Sequence, residues 1–289
     1  MSEPFLERLR QGPLLCDGAM GTVLYTRAPE SIVHGRCFDE LVLTDPGLVQ
    51  EIHRDYIRAG AQIIETNTFG ANSIKLAGYG LAEKPRLINR RAAELAREAR
   101  DVAGQEVFIA GAIGPTGQLN IPQAADSDPR LKALRAVFRE QIEALVERGV
   151  DLLILETFAN LIELRQAVLA AREVGSVPLV AQVTFGEDGQ MLSGTTPTAA
   201  ALTLAGLDVD VLGVNCSIGP AGTLDAIEEM RDALHEHGAD GQREIYLSVQ
   251  PNAGLPTRVE NRFLYYSTPH YFADYAHRFA EAGARIIAS

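Results

Sequence analysis

Eight short apolar runs recur along the chain, at 14–17, 63–66, 107–113, 151–157, 179–185, 211–215, 245–250 and 284–288. Each is closed by turn residues, and the stretches between them carry helical periodicity, predicting helices near 45–59, 86–102, 129–148, 161–174, 198–205, 219–237 and 269–282. The first of these opens on Asp45-Pro46, a side-chain cap followed by proline at the first helical position, and Gly60 closes it. Runs that are apolar at consecutive positions are buried on both faces, as parallel strands under helices are. Eight of them joined by helical crossovers predict an α/β fold, the (β/α)8 TIM barrel. An open doubly wound sheet is the alternative, but no Gly-x-Gly-x-x-Gly follows the first run. A less regular insertion separates the first run from Thr44. Seven helices for eight strands imply a barrel truncated after strand 8, its last helix missing and its flank covered by a further segment or another chain.

Composition narrows this picture. The 289 residues contain no linker-like stretch, so 1–289 reads as one domain, a fragment of a longer chain. Hydrophobic residues make up 46%, yet no stretch approaches the roughly 20 apolar residues that cross a bilayer. With a net charge of −12 and scattered arginines, nucleic acid and anionic membranes are excluded as partners. The N-terminus lacks a secretory pattern, and three cysteines form no disulfide framework, so the expected location is the cytoplasm.

In such barrels chemistry sits at the carboxyl ends of the strands. Those ends carry Asp17; Glu65, Thr66 and Asn67; Glu156 and Thr157; Asn215 and Cys216; and Gln250 and Asn252. Cys216 ends an apolar run just before Gly219-Pro220 opens a helix, where backbone N–H groups and the helix dipole favour a thiolate, both a nucleophile and a soft metal ligand. Asp17 and Glu156 could act as general acid and base or grip an ammonium group, and spacing leaves both open. His235 and His237 point to different helix faces, and His53, His270 and His277 read as surface or core. His34 and Cys37 lie in the loop after strand one, within reach of the mouth, and Cys16 is expected to alternate away from Asp17 toward the helices.

Six motifs carry a family resemblance: Asp17-Gly18-Ala19-Met20-Gly21-Thr22, Ile64-Glu65-Thr66-Asn67-Thr68-Phe69, Gly111-Ala112-Ile113-Gly114-Pro115-Thr116-Gly117, Leu155-Glu156-Thr157, Gly213-Val214-Asn215-Cys216-Ser217-Ile218-Gly219-Pro220 and Pro251-Asn252-Ala253-Gly254-Leu255-Pro256. In this order over nearly the whole chain, they resemble the zinc-dependent homocysteine S-methyltransferases, including the homocysteine module of methionine synthase and the enzymes fused to methylenetetrahydrofolate reductase. The resemblance implies methyl transfer to the homocysteine thiol to give methionine, within one-carbon metabolism. It implies Asp17 and Glu156 at the substrate amino group and the Gly18 turn near its carboxylate, with Thr66 and Asn67 beside them in the substrate pocket. It implies Cys216 as the first of three zinc thiolates, Asn252 as an oxygen donor, and no catalytic residue beyond the metal site. The other two cysteines belong to a Gly-Gly-Cys-Cys stretch after strand 8, where this chain reads Arg285-Ile286-Ile287-Ala288-Ser289. The expected zinc site is therefore incomplete within 1–289 and the chain inactive by itself. The implied methyl donor is methyltetrahydrofolate or methylcobalamin, with a folate, cobalamin or reductase module downstream. A non-catalytic amino-acid-binding barrel is the alternative function; a carboxylate-based hydrolase is a third, lacking sugar-stacking tryptophans.

Overall fold

The computed structural model describes residues 3–27, 37–216, 218–237, 244–252, 257–259, 262–264 and 268–288. His34, Ser217 and 253–256 lie outside this set, as does the side chain of His237. The strands are β1 (Leu14–Leu15), β2 (Ile63–Glu65), β3 (Phe108–Ile113), β4 (Leu152–Phe158), β5 (Leu179–Val183), β6 (Val211–Asn215), β7 (Tyr246–Gln250) and β8 (Ala284–Ile287). They pair in parallel in the order β1-β8-β7-β6-β5-β4-β3-β2. The ring closes where Cys16 bridges Ile63, with Asp17 N donating to Ile63 O at 2.9 Å and Gln62 N to Leu15 O at 2.7 Å. Closure separates the barrel from the open-sheet alternative.

Among the described residues, seven helices surround it: α1 (Pro46–Arg58), α2 (Pro85–Ala103), α3 (Pro129–Val146), α4 (Leu161–Val174), α5 (Pro197–Ala205), α6 (Pro220–His237) and α7 (Pro269–Glu281). Six begin at proline, whose missing N–H costs nothing in the first turn. Asp45, Asp128, Asn160, Thr196 and Thr268 each accept a backbone N–H of the helix they precede. These signals explain why the long helices match expectation within a residue or two. The insertion after β1 is more ordered than its pattern suggests, with short helices at Met20–Arg27 and Leu41–Thr44, and an antiparallel hairpin joins Thr257–Val259 to Arg262–Leu264. Such segments are too short to display a period.

Inward-facing side chains fill the lower barrel. Leu14, Ile63, Leu152, Ile154, Val180, Val211, Tyr246 and Ile286 form one cluster, plugged from below by Phe5 and Leu9 of the helix Phe5–Gln11. Phe5 meets Phe108 edge-on, with centroids 5.3 Å apart. Cys16 belongs to this inner cluster, not to the outer layer expected from alternation with Asp17. Cys16 is the last residue in the ladder and follows the pleat inward, whereas Asp17 lies beyond it, where the chain turns. On the outside, Leu15 stays 48% exposed beside an apolar groove of about 300 Å³ shared with Tyr56, Phe272 and Ala276. No helix among the described residues is long and apolar enough to cross a membrane.

Candidate functional site

Above the apolar floor the barrel opens into a cavity of about 810 Å³, within the ~300–1,000 Å³ range of small-molecule sites. Its wall brings together every candidate residue: Asp17, Gly18, Thr66, Asn67, Glu156, Cys216 and Asn252. Cys37 lines it too. None of the described histidines does; His53 is fully buried in α1, and burial lowers its pKa to about 4.

Three carboxylates meet at the centre. The chain turns after Cys16, so that Asp17 Oδ2 accepts Glu65 N at 3.0 Å. Cys16 Sγ lies 3.5 Å from both Asp17 Oδ1 and Glu65 Oε1 and donates to them. Gln250 Nε2 donates to Glu65 Oε1 at 2.8 Å, and the carboxyls of Glu65 and Glu156 share a hydrogen bond. Burial, reinforced by the Glu65 charge, holds the carboxyls of Asp17 and Glu156 well above their usual range; burial raises Glu65 as well. Burial first, then the two neighbouring acids, push the Cys16 thiol up, so it stays protonated and serves as a donor. A cluster of this kind lacks a cation, and an ammonium group placed among the acids would relieve their repulsion.

The thiol of Cys216 is set on the same wall by a strained corner. Cys216 and Thr157 are the two described non-glycine residues in the left-handed region, with φ of 56° and 62°. Asn215 ties them together: its Oδ1 accepts Thr157 N at 2.7 Å, and its Nδ2 donates to Thr157 Oγ1 at 2.7 Å, Glu156 Oε2 at 3.4 Å and Cys216 Sγ at 3.6 Å. Thr157 Oγ1 also donates to Cys216 Sγ, at 3.6 Å. Backbone strain held by such a network is characteristic of working sites. Below it, Gln182 Nε2 reaches across β6 to Ser248 Oγ at 3.1 Å, and a Cβ at Gly213 would lie 2.0 Å from Ser248 O. Only glycine fits there.

Thr66 and Asn67 line the cavity and are also tied into its wall. Thr66 Oγ1 accepts Ala112 N at 3.1 Å and sits 2.7 Å from Thr68 Oγ1, while Asn67 Nδ2 donates to Phe38 O at 2.8 Å, fastening the insertion over the mouth. Glu65, Gln250 and Asn215, polar strand-end residues outside the set assigned to substrate or metal, are central to the geometry. Lys75 and Asp39 carry no sequence signal at all, since the mouth draws them from a short helix and from the insertion.

Among the described residues, the donors near Cys216 do not complete a zinc shell. A catalytic zinc takes about three protein ligands, and Cys216 belongs to no group of three Cys, His, Asp or Glu donors among the described residues. Asn252 stands two positions beyond Gln250, whose carbonyl accepts Cys216 N at 3.0 Å. The grouping that does occur is Cys16, Asp17 and Glu65, with ligand atoms within 4.8 Å of one another.

A closed parallel barrel with an acid cluster and a strand-end thiol at its mouth defines a class of small-molecule enzyme. The family profile of the homocysteine S-methyltransferases matches residues 14–289, and the chain belongs to that family. Methionine synthases of Mycobacterium leprae and Mycobacterium tuberculosis are 34% and 33% identical over 263 residues, 87% of this chain. The chain spans 21% of the length of each of these relatives. The homocysteine methyltransferase MmuM of Escherichia coli, in its metallated form, superposes with a TM-score of 0.74 at 27% identity, covering 96% of this chain and 91% of MmuM. Its apo form gives 0.71 at 26% identity, covering 99% and 92%.

Proposed function

We propose that this chain binds homocysteine and presents its thiol for methylation to methionine. The observation that carries the reading is the shared, cation-deficient cluster of Asp17, Glu65 and Glu156 opening into the cavity that Cys216 lines. Asp17 and Glu156 hold the substrate ammonium by charge-assisted hydrogen bonds, with the Gly18 turn near the carboxylate. Glu65, fixed by Gln250, lies beside both acids and adds to the negative charge that the ammonium answers. Thr66 and Asn67 lie beside them in the substrate pocket, held there by their bonds to Ala112 and Phe38. The sulfur is left facing Cys216 and Asn252, where an S–CH3 bond forms as the donor's bond to methyl breaks and the thiol proton leaves. Zinc, held in part by Cys216 and Asn252, would supply a deprotonated thiol, since an alkyl thiol of pKa ~8.5 is only a few per cent ionised at neutral pH.

Similarity to methionine synthases favours methyltetrahydrofolate or methylcobalamin as donor, brought by a folate or cobalamin module; a reductase module and a cytoplasmic location belong to the same proposal. With Cys216 in no three-donor group among the described residues, this reading expects weak zinc binding and low turnover. That deficit also favours a second reading, an amino-acid-binding barrel without catalysis. Calorimetric titration with homocysteine should show one-site binding, weakened about 100-fold in Asp17→Asn and in Glu156→Gln. A parallel turnover assay with added zinc separates the readings. Unchanged affinity in both variants would sink the ammonium grip, and stoichiometric, chelator-resistant zinc would sink the weak-site proposal.

A further inference from the structure

Among the described residues, the mouth contains one charge of the opposite sign to the acid cluster. Lys75 is the only cationic side chain among the described residues lining the cavity, in a chain of net charge −12. It projects from the short helix Ser73–Ala77, fixed at its start by Asn72, whose side chain accepts Lys75 N at 3.0 Å. Its stem runs past Gly70 and Gly117, where added Cβ atoms would lie 3.5 and 3.8 Å from it. Its ammonium stands 4.4 Å over the Phe69 ring. That ring is itself fixed, because a Cβ at Gly114 would lie 2.4 Å from Phe69 Cε2 and Gly114 N donates to Phe69 O at 2.9 Å.

The ammonium is therefore positioned, yet it makes no ion pair with any described residue. It feels Asp39, Glu163 and Glu156 at longer range, and burial, the larger effect, pulls its pKa down. The two nearest acids are otherwise engaged. Asp39 accepts Gly70 N at 2.9 Å and Cys37 Sγ at 3.4 Å, and Glu163 accepts Thr116 N at 2.8 Å and Thr116 Oγ1 at 2.6 Å. A half-buried cation with held geometry and no ion-pair partner, sharing a cavity with acids that want a cation, is complementary to a zwitterion.

We propose that Lys75 is the residue that selects an α-amino acid, by taking the substrate carboxylate while Asp17 and Glu156 take its ammonium. This rests on the homocysteine reading above and assigns it a specificity determinant. Lys75 supplies the charge that the Gly18 turn cannot.

The test uses the 289-residue chain with two ligands, homocysteine and its decarboxylated analogue 3-aminopropane-1-thiol. Wild-type protein should prefer homocysteine by about 10- to 100-fold, the range of one charge-assisted hydrogen bond. Lys75→Met, which keeps the apolar stem, should weaken homocysteine by that factor, leave the analogue unchanged and so abolish the preference. Lys75→Arg should retain most of it. Thermal unfolding of each variant monitors the fold. Equal weakening of both ligands would mean that Lys75 is only a distant counter-charge and would overturn the proposal. Absence of homocysteine binding by the wild-type chain overturns the homocysteine reading as well, whereas binding unaffected in Lys75→Met removes the Lys75 assignment alone.

Discussion

The floor and the mouth of the barrel are built from the same strands, two inward steps apart. Leu152 leads to Glu156 on β4, Val211 to Asn215 on β6 and Tyr246 to Gln250 on β7. The floor residues are apolar and close-packed, and each removes hydrophobic surface from water. The mouth residues reverse that logic. Asp17, Glu65 and Glu156 are withdrawn from water beside one another, and Thr157 and Cys216 occupy a backbone region that side chains avoid. The floor stabilises the fold, and the mouth costs stability in return for an unfilled demand for a cation and a fixed thiol.

The largest effect should come from the floor. Leu152→Ala removes a fully buried side chain at the centre of the inner cluster and should cost about 3–4 kcal/mol in denaturant unfolding. Homocysteine affinity of the folded variant should stay within twofold of wild type. A comparable loss of affinity would show that floor and mouth are not separable.

Glu156→Gln should act in the opposite direction on stability. Its folded-state pKa is raised, so the carboxyl favours the folded state below its ordinary pKa and that contribution is lost as pH rises past it. The amide carries no such penalty. The variant should match wild type near pH 4 and exceed it by about 1 kcal/mol near pH 8, a rise of about 2 °C in melting temperature. A stability difference that shrinks with rising pH would contradict the account of the cluster.

The same contrast governs what could be read from sequence. Strands and long helices were legible because buried parallel strands are apolar throughout and because proline with a polar cap marks helix starts, as at Asp45-Pro46 and Asp128-Pro129. The strand-end acids were legible as a set, since chain order alone places them on one rim. Their division of labour was not. That Glu65 joins Asp17 to Glu156, that Thr66 spends its hydroxyl on Ala112, and that Cys16 points inward all depend on where the chain leaves its strand. Lys75 was invisible for a related reason: a lone lysine on a five-residue helix has no periodicity, and only its placement over Phe69 beside the cavity gives it meaning.

The smallest net effect, that of Thr157→Gly, probes the strained corner. Thr157 combines an unfavourable φ of 62° with hydroxyl bonds to Asn215 and Cys216, so strain and bonding oppose each other at one residue. Thr157→Val keeps the shape and the strain but loses the hydroxyl, and should cost about 1.5 kcal/mol. Thr157→Gly loses both, so relief of strain of about 1–2 kcal/mol offsets the lost bonds and leaves stability within about 0.5 kcal/mol of wild type. The difference between the two variants in denaturant unfolding measures the strain stored beside the thiol. In both, Cys216 loses one of its hydrogen-bond donors and should be alkylated more slowly by iodoacetamide at pH 7.5, by about threefold. Equal destabilisation by Val and Gly would mean that the left-handed corner carries no strain, and the mouth would then differ from the floor in its charges alone.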